Sequence, residues 1–204
     1  MKGGAGIDLV GVVPNPSGVG PRSTWSKGAM SAMSDVMRRL LGTLSTGPGG
    51  APRAVSWAAT VGFVGGGLLI LWSAYIHFHL WSEPDGYRQI SVIGPLFLLQ
   101  SIGGLVVAIG VVAVRRVWAA ICGIGYAIST LVGFLLTVEL PDGLFNFKET
   151  WAAPFAHEAL AVEIAIVVVL AVTAVLCIAG TRRAGAAPGV SSPDASLRRD
   201  RPRV

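Results

Sequence analysis

Residues 90–138 read ISVIGPLFLLQSIGGLVVAIGVVAV, then RR, then VWAAICGIGYAISTLVGFLLTV. Arg115 and Arg116 are the only charged side chains in that stretch. Crossing a ~30 Å hydrocarbon core takes about 20 apolar residues at the helical rise, and each half is long enough. The stretch therefore predicts two transmembrane helices turning on a pair of arginines. Two more uncharged stretches flank it, at 57–76 and 164–181, the last somewhat short. The predicted fold is an all-α membrane protein, a four-helix transmembrane bundle.

Composition agrees. Of the 204 residues, 52% are hydrophobic and 13% charged, against about 25% charged in an ordinary soluble domain. The net charge is +5, but the basic residues follow no nucleic-acid-binding pattern. Lys2, Arg22, Lys27, Arg38, Arg39 and Arg53 precede the first span. Arg182, Arg183, Arg198, Arg199, Arg201 and Arg203 follow the fourth. The two remaining loops hold Arg88 and Lys148 against Glu83, Asp85, Glu139, Asp142 and Glu149. Lys and Arg in short loops stay on the cytoplasmic side. The expected setting is the plasma (inner) membrane, multi-pass, with both termini cytoplasmic and two acidic loops outside. Residues 1–53 hold no apolar core of about 7–15 residues, which a cleavable signal peptide needs. Cys122 and Cys177 fall near the cytoplasmic ends of their spans, where a reducing compartment disfavours a disulfide.

Three regions follow. Residues 1–53 are rich in Gly, Pro and Ser, a composition expected to stay disordered. Within them, Met33, Val36, Met37, Leu40, Leu41 and Leu44 recur at helical spacing, which predicts a short helix over 33–44 lying on the membrane surface. Met30 and Met33 are alternative starts to Met1. Residues 54–181 form the bundle, and 182–204 are a basic tail expected to be disordered near anionic lipid. Both acidic loops carry the same turn, Pro84-Asp85-Gly86 and Pro141-Asp142-Gly143, with Pro presetting φ and Gly supplying φ > 0. Pro95 falls in the first turn of span two, where a missing N–H costs little. Phe145, Phe147, Trp151 and Phe155 make the second acidic loop aromatic, as suits a membrane interface.

Small residues recur at four-residue spacing: Gly62 and Gly66, Gly104 and Ala108, and Gly125, Ser129 and Gly133. Such spacing lets helices approach closely in lipid, within the bundle or between two copies of the chain. Span four is almost wholly Val, Ile, Leu and Ala, and is expected to face lipid more than the others, except at its outer end.

Polar groups inside a bilayer are costly, and each is a candidate functional group. Glu163 is the strongest. With span four starting near Phe155, it lies ~12 Å along the helix. Desolvation disfavours the charged form of a lone carboxyl there, so a partner or a proton is expected. Ser73, Gln100 and Thr130 lie at similar depth in the other three spans, and His77 is one turn above Ser73. Together they predict one intramembrane polar layer, with His77 able to pair with Glu163 or with Glu158.

The histidines allow three readings: ordinary interfacial residues, a transition-metal site with Glu158, or haem ligation by His77 and His157 inside the bundle. His77 and His79 are two residues apart on nearly opposite helix sides, which weakens a joint metal site. Gly123-Ile124-Gly125-Tyr126-Ala127-Ile128 lacks the third glycine of a phosphate-binding loop. No nucleophile–base set and no Cys-x-x-Cys occurs.

His77-Phe78-His79-Leu80-Trp81, then Gly86-Tyr87-Arg88-Gln89-Ile90, Ile93-Gly94-Pro95-Leu96-Phe97-Leu98-Leu99-Gln100 and Gly143-Leu144-Phe145-Asn146-Phe147-Lys148-Glu149, resemble small four-span membrane proteins of high-GC Gram-positive bacteria. The resemblance covers roughly residues 57–180. It implies a bacterial plasma membrane and carries over no catalytic residue and no cofactor. Three functions stand open. The first is a non-catalytic accessory subunit of a larger membrane complex, favoured by the small soluble mass. The second is a small proton-coupled transporter using Glu163, as a homo-oligomer. The third is a haem- or metal-binding redox protein using His77, His157 and Glu158.

Overall fold

The computed structural model describes residues 24–186. The expectations for the first 23 residues and for the tail beyond 186 lie outside them. The chain divides into two compact units, residues 1–39 and 40–204. In the first, helix α1 (Thr24–Leu44) starts well before Met33. Its Met33, Val36 and Met37 are exposed.

The second unit is built from four long helices: α2 (Arg53–Ser82), α3 (Ile93–Val114), α4 (Val117–Glu139) and α5 (Ala156–Ala186). All four are long and apolar enough to cross a membrane. No strand occurs among the described residues; a single bridge joins Leu144 and Phe147. Three of the spans read from hydropathy alone fall inside these helices, whose ends reach further because polar and aromatic residues continue the backbone hydrogen bonding beyond the apolar run; span two, read from residue 90, starts instead at Ile93, after the short turn that follows Tyr87–Gln89.

Neighbours run antiparallel. Along the α2–α5 seam, Val55 meets Gly180, Gly62 meets Thr173, Gly66 meets Leu170 and Ser73 meets Glu163, so contacts climb one helix as they descend the other. α3 packs on α2, α4 packs on α3 and α5, and α2 and α5 close the ring. The turn between α3 and α4 is the Arg115-Arg116 pair. Arg115 adopts the left-handed conformation, with φ 49° and ψ 49°, which for a residue with a Cβ costs about 1 kcal/mol or more. Hydrogen bonds from the Val117 N–H to the Thr46 carbonyl (3.1 Å) and from the Arg116 guanidinium to the Ser45 carbonyl (2.5 Å) help hold it.

Two expectations about packing are corrected. Span four is not the more lipid-facing helix: α5 buries as large a share of its apolar window as α2 and α4, and more than α3. Glu163, Ile166, Leu170, Thr173 and Cys177, each 2% exposed or less, form one stripe against the other helices. The outer faces of α5 are apolar and the inner one nearly so, and only Glu163 and Thr173 mark the inner stripe in the sequence. The side chain of Leu170 instead seats in gaps over Gly66 and Gly123. Second, the series Gly125, Ser129 and Gly133 does not pack the bundle: nothing lies within 4 Å of where a Cβ would stand on Gly125 or Gly133. α4 turns the neighbouring face inward, with Ala119, Ala120, Gly123, Tyr126 and Ala127 buried.

The two Pro-Asp-Gly turns differ. Gly143 has φ +69° and accepts no side chain, since a Cβ would run into the Phe147 carbonyl. Gly86, expected at positive φ, has φ −79°. Its requirement is space, because a Cβ there would overlap the Leu80 and Glu83 carbonyls.

Candidate functional site

The end of the bundle carrying the two acidic loops, here the acidic end, holds the polar groups. The α2–α5 seam brings Ser73 and Glu163 together, both 1% exposed. The Ser73 hydroxyl donates to Glu163 Oε1. Tyr126 of α4 approaches from the third side, its hydroxyl 3.3 Å from Ser73 Oγ and 3.3 Å from the Gln100 carbonyl, to which it donates. Gln100 Nε2 donates to Thr130 Oγ1, and Thr130 Oγ1 in turn donates to the Tyr126 carbonyl at 3.1 Å. Because the threonine proton is spent on that carbonyl, Thr130 can only accept from Gln100, which fixes the amide with its nitrogen toward Thr130.

The structure thus places Ser73, Gln100, Thr130 and Glu163 in one network at one level, with Tyr126 as the link that sequence reading missed. Its signal was available: Tyr126 sits one turn before Thr130 on the same helix side. His77 does not pair with Glu163. Its Nδ1 lies 2.8 Å from the Ser73 carbonyl, and its ring packs on Phe97 at 5.3 Å between centroids. Glu158 is also elsewhere, accepting from Trp72 Nε1 at 3.0 Å.

One atom is left over. Glu163 Oε2 is buried and has no hydrogen-bond partner. Buried polar atoms are seldom left so, and an orphan of this kind calls for an explanation. Glu163 lines a chamber of about 320 Å³ at the acidic end. The walls are largely apolar and aromatic, including Phe97, Phe134 and Phe155, and His77, Gln100 and Thr130 lie among its few polar residues.

The second acidic loop covers this chamber through Leu144, Phe147 and Glu149. Three interactions hold the loop. The Tyr87 hydroxyl donates to Glu149 Oε2 at 2.6 Å, and its ring stacks on Phe97 at 4.4 Å between centroids and meets Phe147 edge-on. The Glu149 N–H bonds the Thr137 carbonyl at 3.1 Å. The Lys148 ammonium donates to the Val138 and Leu140 carbonyls at 2.5 and 2.6 Å, satisfying acceptors that the end of α4 would leave open. Burial, the hydrogen bond to Glu149 and that carboxylate's charge raise the Tyr87 hydroxyl well above the ordinary tyrosine value. None of these pairings was read from the sequence, because most of the partners lie in other segments.

The histidine readings meet three separate environments. His77 is buried on Ser73 and Phe97. His79 stacks on Tyr75, meets Phe155 edge-on and lies 3.4 Å from Glu83. His157 lies near the Trp151 ring at 6.3 Å. Among the described residues no three His, Cys, Asp or Glu side chains are gathered so as to hold a metal ion, and the residues assigned to a metal or haem site, His77, His157 and Glu158, each have a different partner. A second, shallower pocket of about 540 Å³ lies at the opposite end of the bundle, beside Arg115, Arg116 and Thr181.

No protein-family model, curated protein or solved structure was found to match this chain.

Proposed function

We propose that this polytopic membrane protein receives a small, mostly apolar ligand in the acidic-end chamber, with Glu163 as its buried polar anchor. In this reading the acidic loops face outward and both termini are cytoplasmic, in the bacterial plasma membrane that the resemblance implies. The observation that carries it is the unpartnered Glu163 Oε2 lining a chamber of about 320 Å³. Binding pockets commonly have this make-up, with apolar and aromatic walls and a few placed polar groups. A carboxyl in that position is also what a small carrier needs to exchange a proton for a bound molecule.

A library screen by thermal stabilisation, run in parallel on the wild type and Glu163→Gln, tests the reading. A ligand present at about 100 times its Kd stabilises the state it binds by about 2.7 kcal/mol. Compounds that stabilise the wild type and lose that effect in Glu163→Gln are expected. A screen in which every stabilising compound acts equally on both proteins would overturn it.

A second reading, the accessory subunit of a larger membrane assembly, is favoured by Gly125 of α4. It is exposed with nothing packed on it, and a small residue so placed admits a close helix neighbour in lipid. Gentle extraction followed by native mass measurement tests this: a defined complex at fixed stoichiometry supports it, and a lone monomer removes it.

A further inference from the structure

Resting on the chamber reading above, we infer that the ligand is an organic amine: a protonated ammonium group carried on an apolar, preferably aromatic, body. The argument is a census of hydrogen-bond donors and acceptors on the chamber wall.

With Glu163 ionised, as an ammonium partner would hold it, both carboxyl oxygens are acceptors, and Oε2 has nothing to accept from. Nearly every proton beside it is already committed. Ser73 donates to Glu163 Oε1 and Tyr126 to the Gln100 carbonyl. Ser129, Thr130 and Thr137 each donate to a backbone carbonyl of their own helix, at 2.7, 3.1 and 2.6 Å. Tyr87 donates to Glu149. With the imidazole neutral and its Nδ1–H given to the Ser73 carbonyl, His77 keeps Nε2 as an acceptor. The Gln100 amide, fixed by Thr130, keeps its oxygen and one N–H.

The wall therefore offers several acceptors against a single free amide hydrogen. Its two carboxyl groups are Glu149 and Glu163, and no Lys or Arg lines it among the described residues. A carboxylate or phosphate ligand would meet like charge and almost no donors. A neutral apolar molecule would fill the chamber and leave Oε2 orphaned. An ammonium supplies up to three donors and the missing counter-charge. Phe97, Phe134 and Phe155 add ring faces that attract a cation in a site sheltered from water.

The test is calorimetric titration of the protein in lipid nanodiscs with three probes of one shape: 4-phenylbutylamine, 4-phenylbutan-1-ol and 4-phenylbutyrate. Empty nanodiscs correct for partition into lipid. The amine is expected to bind at least about tenfold tighter than the alcohol, as a hydrogen bond to a charged group implies, with the butyrate weakest. In Glu163→Gln the amine's advantage over the alcohol should vanish, and saturable binding of the alcohol shows that the variant keeps its chamber. The wild-type ranking decides the matter even where that variant fails to fold. An alcohol or butyrate that binds as well as the amine overturns the amine assignment and leaves the chamber standing. An amine preference that persists in Glu163→Gln removes Glu163 as the partner. No saturable binding by any probe above empty discs would overturn the chamber reading itself.

Discussion

Ser73 and Glu163 meet across the seam that closes the helix ring, and the serine satisfies one carboxyl oxygen while the other is left open. The pair joins the two chain-terminal helices of the bundle. The same carboxyl therefore takes part in closing the ring and lines the chamber, and the two roles respond differently to substitution.

Glu163→Gln keeps an acceptor for the Ser73 hydroxyl and removes a carboxyl that lacks a second partner. Its effect on stability is expected to stay within about 1 kcal/mol. Ser73→Ala leaves both carboxyl oxygens unpaired and should cost about 1–3 kcal/mol. Combined, the changes should cost less than their sum, since the orphaned carboxyl is gone. Chemical unfolding in detergent micelles, followed by tryptophan fluorescence, reads all three. Strictly additive losses would show that the pair does not interact.

The glycines separate into two classes. A methyl group on Gly66 or Gly123 would enter the space held by the Leu170 side chain, and overpacking of this kind costs about 1–3 kcal/mol. Gly65→Ala and Gly103→Ala, where nothing lies within 4 Å, should be neutral or stabilising by up to about 1 kcal/mol through helix propensity. Gly66→Ala combined with Leu170→Val should recover part of the loss. Equal effects at all four glycines would contradict the seating of Leu170.

Tyr87→Phe keeps the ring stack and loses the bond to Glu149. At neutral pH it should destabilise the protein by about 0.5–1.5 kcal/mol. The folded state holds the Tyr87 proton more tightly than the unfolded chain, whose value is 10.0. That contribution is complete below pH 10 and declines as pH rises through the higher folded value. The gap between wild type and Tyr87→Phe should therefore be constant from neutral pH to about 10 and narrow above it. A gap that widens with alkali would show that the proton is not held there.

Topology is read by labelling. With Cys122 and Cys177 replaced by serine, a cysteine at the exposed Asn146 of the second acidic loop should react with a membrane-impermeant maleimide in intact cells. One at Arg116 should react only after the membrane is broken. The reverse pattern would invert the orientation that the arginine distribution implies.

The bundle itself is legible in the chain, because uncharged runs of span length leave few folds open in lipid. Depth along a helix is legible too: counting residues puts Ser73, Gln100, Thr130 and Glu163 at one level, and the structure places Ser73 on Glu163 and Gln100 on Thr130. Direction around the helix is less so. Span four is so uniformly apolar that only Glu163 and Thr173 hint at which side turns inward. The Gly125 series has ideal spacing, yet nothing packs on Gly125, and Ser129 and Gly133 line the chamber instead. Tyr126 shows its helix side by its place one turn before Thr130, but nothing in its own segment names its partners, Ser73 and Gln100, on two other helices. Tyr87 and Glu149 are 62 positions apart, and neither has a local pattern that announces the other.

On α5, Leu170 stands between Glu163, at the chamber, and Thr181, at the pocket beside Arg115 and Arg116. Its side chain fills the gaps over Gly66 and Gly123. The seat of Leu170 and the Ser73 bond to Glu163 lie on one stripe of one helix. A slide or turn of α5 large enough to unseat the leucine would therefore break the serine–carboxyl bond in the same stroke.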